Sequence, residues 1–190
     1  MVVDKNNPEA LIERLKTISP SHDDYFEAQS VIKDGYNGAN TLDAAWSSLV
    51  VNRLAYSGIS KANPLGGRNG SVKALLSRWN PTELIKKINH IHSLRDRITV
   101  TQLDAVSLIE EVYWNTESTI FIDPPYVEKG KALYDCYYTE ENHRELSQLL
   151  DLLHFGCPGA DLVVTYDYNE WLDSIYEYPE RKIIGRKYSA

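Results

Sequence analysis

The sequence predicts an α/β protein built on a parallel, doubly wound sheet with helices on both faces. Two observations carry that prediction. After residue 97, short apolar runs rich in β-branched residues alternate with helical patterns, and continuous apolar strands belong to parallel sheets covered on both sides. Between residues 41 and 97 the pattern is instead mostly helical and basic, which marks an inserted segment.

The elements follow in order. Met1-Val2-Val3-Asp4 reads as the end of a strand. Asn7-Pro8-Glu9 starts a helix, with Asn7 as N-cap and Pro8 at the first helical position. Ala10, Leu11, Leu15 and Ile18 form its apolar stripe, and Pro20 ends it. A polar stretch follows. Thr41 then caps a helix that buries Leu42, Ala45, Trp46, Leu49 and Val50. Residues 57–71, with Gly58, Gly66, Gly67 and Gly70, read as a loop. Asn80-Pro81-Thr82-Glu83 is a capping box before Leu84, Ile85, Ile88 and Ile91.

Ile98-Thr99-Val100 is a short β-branched run, and a helix is expected from Ala105 to Val112. Thr119 to Ile122 is a second strand, which must stop at Asp123-Pro124-Pro125-Tyr126 because consecutive prolines cannot continue a central strand. Thr139 caps a helix bearing Leu146, Leu149, Leu150 and Leu153. A strand over 161–165, a helix over 169–176 and a last strand over 181–188 complete the alternation.

Composition narrows the class. The 190 residues are 43% hydrophobic and include thirteen Tyr and four Trp, enough for a core, so wholesale disorder is excluded. There is no 18-residue apolar run and no signal-peptide pattern. Cys136 and Cys157 are too few for a disulfide scaffold and lack metal spacing. A cytoplasmic, reduced, metal-free protein without a membrane partner is expected. The net charge of −7 hides an asymmetry: residues 51–100 hold nine basic and two acidic side chains. A clustered basic segment in an acidic chain suits phosphate contacts, although solvated helix faces produce the same pattern.

Ligands of open α/β sheets bind beyond the carboxyl ends of the strands, where Asp4, Asp104, Asp123 and Asp167 fall. One such Asp serves equally well as a helix cap. The corner at Asp123-Pro124-Pro125-Tyr126 is more specific. Two prolines hold a rigid turn that presents a carboxylate, a backbone carbonyl and an aromatic face, which together match an exocyclic amine on a flat base. Tyr134, Tyr137 and Tyr138 could line a base pocket or pack as core. His90, His92, His143 and His154 lack ligand spacing and read as surface or packing residues. Ser57-Gly58 lacks the flanking glycines of a nucleophile elbow.

IFIDPPY (120–126) followed by YDCYYTEENHRELSQLL (134–150) resembles the N6-adenine DNA methyltransferases whose target-recognition insert precedes the DPPY motif. LVVNRLAYSGISKANPLGG (49–67) is similar to the start of that insert, and LVVTYDYNEWLDSIY…RKYSA (162–190) to the closing strands. The resemblance covers nearly the whole chain. It implies a Rossmann-like catalytic domain over 1–40 and 98–190, with a basic, helical recognition segment over 41–97. It further implies methyl transfer from S-adenosylmethionine to the N6 amine of adenine in double-stranded DNA, by base flipping. Asp123, Pro124 and Tyr126 would be catalytic; Asp4, Asp104 and Asp123 would bind the cofactor; Asn52, Arg53, Arg68 and Lys73 would bind DNA, although Asn52 and Arg53 read by themselves as helix-surface residues and a domain-bracing role is the alternative for both. The chain departs from the pattern in one respect: it starts where the family's second strand ends, without the preceding glycine loop. On that comparison the sheet is incomplete at its N-terminus, and a separate N-terminal segment or second chain would complete it. An inactive remnant that binds DNA, or an enzyme acting on cytosine N4 or a glutamine amide, are the competing readings, and the Asp in the first motif position argues against the latter.

Overall fold

The computed structural model describes residues 8–127, 137–177 and 180–185, which fall into two compact units divided between Val100 and Thr101. Asn7 and the expected strand over 1–4, with Asp4, lie outside the described residues, as does Tyr134.

The first unit is helical. Helix α1 (Glu9–Thr17) follows Pro8, whose backbone is already helical at φ −75° and whose carbonyl accepts the Ile12 N–H at 2.9 Å. Leu11 and Leu15 are buried. Ala10 and Ile18 are not: the first faces solvent, and Ile18 has left the helix for extended backbone, so the expected stripe is two residues narrower. Helix α2 (His22–Lys33) occupies the polar stretch, for which the sequence predicts no element. Ser21 and Asp24 form a reciprocal capping box, and Tyr25, Ala28 and Gln29 turn inward at helical spacing. The interleaved Asp23, Asp24, Glu27 and Lys33 obscure that period in the sequence.

Helix α3 (Thr41–Leu54) is capped by Asn40, whose side chain accepts the Asp43 N–H at 2.9 Å, rather than by Thr41, which is its first helical residue. Val50 and Leu54 are completely buried. Tyr25 donates its hydroxyl to the Ala62 carbonyl, and Gln29 donates its amide to the carbonyls of Ser60 and Ala62, tying the following loop to α2. Within that loop Gly66 has φ +81°, and a Cβ there would lie 2.7 Å from Ala74 Cβ, so only glycine fits the turn. The short helix α4 (Val72–Leu75) leads to α5 (Pro81–Ser93), where Asn80 accepts the Glu83 N–H while the Glu83 carboxylate accepts from Lys86. Leu11, Leu15 and Tyr25 share one core with Leu54, Leu84 and Ile88. Packing therefore continues across residue 40, where the functional division into catalytic and recognition segments was drawn.

Residues 98–100 form no strand with any of the described residues, and Val100 is 79% exposed. The second unit begins with helix α6 (Ala105–Val112), at the expected bounds, with Asp104 as its N-cap, the alternative to a ligand role that such an aspartate carries. Strands β1 (Thr119–Ile122) and β2 (Asp161–Val164) pair in parallel, with Ile122 opposite Val164. Among the described residues the sheet has these two strands, narrower than the doubly wound sheet expected. Helix α7 (Glu140–Gly156) starts in a Thr139–Asn142 capping box and buries Leu146, Leu149, Leu150 and Leu153 in one cluster with Ile109 and Ile122. Tyr113 donates its hydroxyl to the Leu153 and Cys157 carbonyls, which satisfies acceptors that the end of a helix leaves open. Helix α8 (Glu170–Ile175) follows β2 and is capped by Asn169. The expected strand over 181–188 is absent over 181–185, where Ile183 and Ile184 are exposed and Arg181 pairs with Asp173; residues 186–188 lie outside the described residues. Among the described residues no helix is long and apolar enough to cross a membrane.

Leu54 is the test of the first unit's core. Leu54→Ala is expected to lower the unfolding free energy by about 2–5 kcal/mol in urea titrations, whereas Val72→Ala on the exposed side of α4 should change it by less than about 0.5 kcal/mol.

Candidate active site

The site is built where β1 and β2 finish. Pro124 has no N–H, so the β1 ladder cannot advance through it. The last ladder bond runs instead from the Thr165 N–H to the Ile122 carbonyl, at 3.0 Å. That bond carries β2 one residue past Val164 and sets Thr165 beside Asp123. The Thr165 hydroxyl donates to Asp123 Oδ1 at 2.7 Å, an ordinary short O–H···O hydrogen bond. Asp123 is exposed, Pro124 is buried, and Pro125 and Tyr126 are half-buried. Sequence reasoning placed the carboxylate, the Pro124 carbonyl and the Tyr126 ring in one corner; in the structure these residues follow β1 consecutively. It missed Thr165, because partnership between residues 42 positions apart depends on strand register.

Beside β2 lies an aromatic cluster around His143, which is only 1% exposed in the first turns of α7. Its Nδ1 lies 3.1 Å from the Tyr166 hydroxyl, and its ring meets Tyr138, Tyr166 and Trp171 at centroid distances of 5.2, 5.6 and 6.2 Å. The Tyr176 hydroxyl donates to that of Tyr166 at 3.4 Å. His143 Nε2 and Asp167 Oδ1 are buried without hydrogen-bond partners among the described residues. Burial pushes the His143 imidazole below its ordinary pKa, with the Asp167 charge opposing. Burial likewise raises the phenols of Tyr138, Tyr166 and Tyr176, which stay neutral. His143 thus has the packing role that its sequence context suggested. Tyr138 belongs to this cluster, while Tyr137 is 44% exposed.

The remaining sequence candidates have different surroundings. Asp104 is exposed and accepts the Ser107 N–H at 3.0 Å, a bond that holds its carboxyl below the usual range. In the first unit, Arg53 directs Nε and Nη2 at the Arg78 carbonyl, at 3.1 and 2.6 Å, while Arg78 in turn donates to the Ala55 carbonyl. Those bonds make Arg53 a brace between the end of α3 and the turn at residues 76–78. Asn52 and Lys73 are exposed. Arg68 is exposed too, with its guanidinium 5.5 Å from the centre of the Phe26 ring. Among the described residues no cluster of His, Cys, Asp and Glu has the arrangement of a metal site.

The chain matches the model of the D12 class N6 adenine-specific DNA methyltransferases over residues 2–188. No curated protein matches the chain.

The His143 environment generates a pH test. An imidazole with a depressed pKa in the folded state binds its proton more readily when unfolded. Its contribution to stability is therefore intact above about pH 6.5 and declines as pH falls below that value. Urea titrations at pH 7.5 and 5.5 should show a larger loss of stability for the unaltered chain than for His143→Gln. Equal losses would remove the histidine from the account.

Proposed function

The chain belongs to the D12 class N6 adenine-specific DNA methyltransferase family, and on that premise we propose that it transfers a methyl group from S-adenosylmethionine to the N6 amine of adenine in double-stranded DNA. The observation that carries this reading is the corner at Asp123. An exposed carboxylate, already anchored through one oxygen, is followed by a proline carbonyl and a half-buried tyrosine at the carboxyl end of a parallel strand.

The chemistry requires acceptors more than a base. The lone pair of adenine N6 is delocalised into the ring, and a carboxyl group of pKa about 3.9 is far too weak a base to deprotonate that amine. Asp123 and the Pro124 carbonyl instead accept the two N6 hydrogens. That draws electron density back onto nitrogen and orients its lone pair. The proton that the nitrogen sheds once it is methylated passes to the Asp123 carboxylate and from there to water. Fixed acceptors aimed at a developing positive charge stabilise the transition state without reorganising. Tyr126 stacks on the extruded adenine, worth about 1–3 kcal/mol against the cost of leaving the duplex.

S-adenosylmethionine, when bound, supplies an electrophilic methyl group on a sulfonium. Asp104 suits its hydroxyl and amino donors, being exposed and held in its charged form by the Ser107 N–H. Asp123 adds a second carboxylate in the same unit. The excess of basic side chains over residues 51–100 supports phosphate contact, with Asn52, Arg68 and Lys73 exposed for DNA and Arg53 bracing the segment that carries them. In this reading 41–97 is the recognition segment, 1–40 with 98–190 the catalytic region, and the enzyme cytoplasmic.

Asp123→Ala tests the assignment. Transfer of labelled methyl from S-adenosylmethionine to an adenine-containing duplex should fall by at least about 100-fold with the thermal midpoint unchanged. Activity within tenfold of the unaltered chain would remove Asp123 from the catalytic role.

A further inference from the structure

We propose that Thr165 is a positioning residue for the methyl transfer: its hydroxyl fixes the Asp123 carboxylate so that Oδ2 alone is directed to the adenine amine. This inference rests on the methyltransferase reading and deepens it, because it names which carboxylate oxygen works and what sets its direction.

An exposed aspartate on the last residue before a rigid turn has two freedoms, its χ1 rotamer and rotation of the carboxylate plane. Either one swings the acceptor oxygen away from a substrate amine. The 2.7 Å bond from Thr165 Oγ1 to Oδ1 removes both at once. Among the described residues the side-chain hydrogen bond that Asp123 accepts is the one from Thr165. Thr165 is itself fixed: its N–H is the last bond of the parallel ladder, and a β-branched side chain has few accessible χ1 rotamers. The hydroxyl is therefore presented by the sheet, not by a flexible loop. Ile122 and Val164 are register partners whose side chains turn toward the core. The next pair, Asp123 and Thr165, consequently projects to the opposite face, and both residues are exposed. With Oδ1 engaged by Thr165, Oδ2 is the oxygen that this reading assigns to the adenine amine.

Methyl transfer from S-adenosylmethionine to an adenine-containing duplex, measured for the full chain and for Thr165→Val and Thr165→Ser, tests the role. Thr165→Val keeps the shape and removes the donor, whereas Thr165→Ser keeps the donor. The expected result is a kcat about tenfold lower for Thr165→Val, with KM for DNA and for cofactor within twofold of the unaltered chain, and recovery of kcat in Thr165→Ser. A structural role would lower the melting temperature of Thr165→Val together with kcat, and serine would restore both, whereas a positioning role leaves the melting temperature unmoved. Should valine prevent folding, Thr165→Ala replaces it in the same comparison. A Thr165→Val enzyme with undiminished kcat overturns the positioning role alone, as does a Thr165→Ser enzyme no faster than Thr165→Val. Absence of methyl transfer by the unaltered chain overturns the methyltransferase reading and the positioning role with it.

Discussion

One missing hydrogen-bond donor organises the candidate site. Because Pro124 cannot donate to a ladder, β1 ends at Ile122, and the final ladder bond is the one that its carbonyl accepts from Thr165. Ending the strand there leaves Asp123 at the carboxyl edge of the sheet, with its side chain on the face opposite the core. It also gives Asp123 a neighbour, since the parallel partner is still in register one residue further on. The carboxylate, the proline carbonyl and the tyrosine ring then follow in three consecutive steps of a chain whose φ angles are restricted by two pyrrolidine rings. The corner needs no long side chain and no distant element to bring its groups together. That suits a reaction in which placement does most of the work.

The surroundings reinforce that edge from one side. Leu146, Leu149, Leu150 and Leu153 of α7 share a cluster with Ile122 and with Ile109 of α6. The aromatic residues after β2 close around His143 and keep its imidazole out of water. A buried neutral histidine has two nitrogens to satisfy, and here Tyr166 meets one of them. Tyr166 follows Thr165 directly, so the same segment touches the exposed carboxylate with one residue and the buried imidazole with the next. Strand alternation makes that division of labour automatic: adjacent side chains of an extended segment point to opposite faces.

Much of this was legible in the amino-acid sequence, for identifiable reasons. The strands over 119–122 and 161–164 are apolar, β-branched and short, and their ends are marked by Asp-Pro-Pro and by polar turns. The helices at 105–112 and 140–156 announce themselves through Asp104 and Thr139, whose side chains do cap them. The helix at 22–33 escaped notice because charged residues alternate with Tyr25, Ala28 and Gln29, although its Ser21–Asp24 capping box was present in the letters. The runs at 98–100 and 181–185 illustrate the converse: β-branched residues state a preference, but a strand exists only when a neighbour supplies its hydrogen bonds. Arg53 could not be separated from its basic neighbours by composition, since only the position of the Arg78 carbonyl reveals it as a brace. Thr165 was invisible for the same reason. Its importance comes from register, which no local pattern records.

The account stands on the claim that this corner accepts the exocyclic amine of adenine and no other nucleophile. The most direct measurement is the identity of the methylated nucleoside. Duplex DNA treated with the full chain and labelled S-adenosylmethionine, then digested to nucleosides and separated, should carry its label in N6-methyldeoxyadenosine alone. Label recovered in N4-methyldeoxycytidine, or in protein instead of DNA, would contradict it.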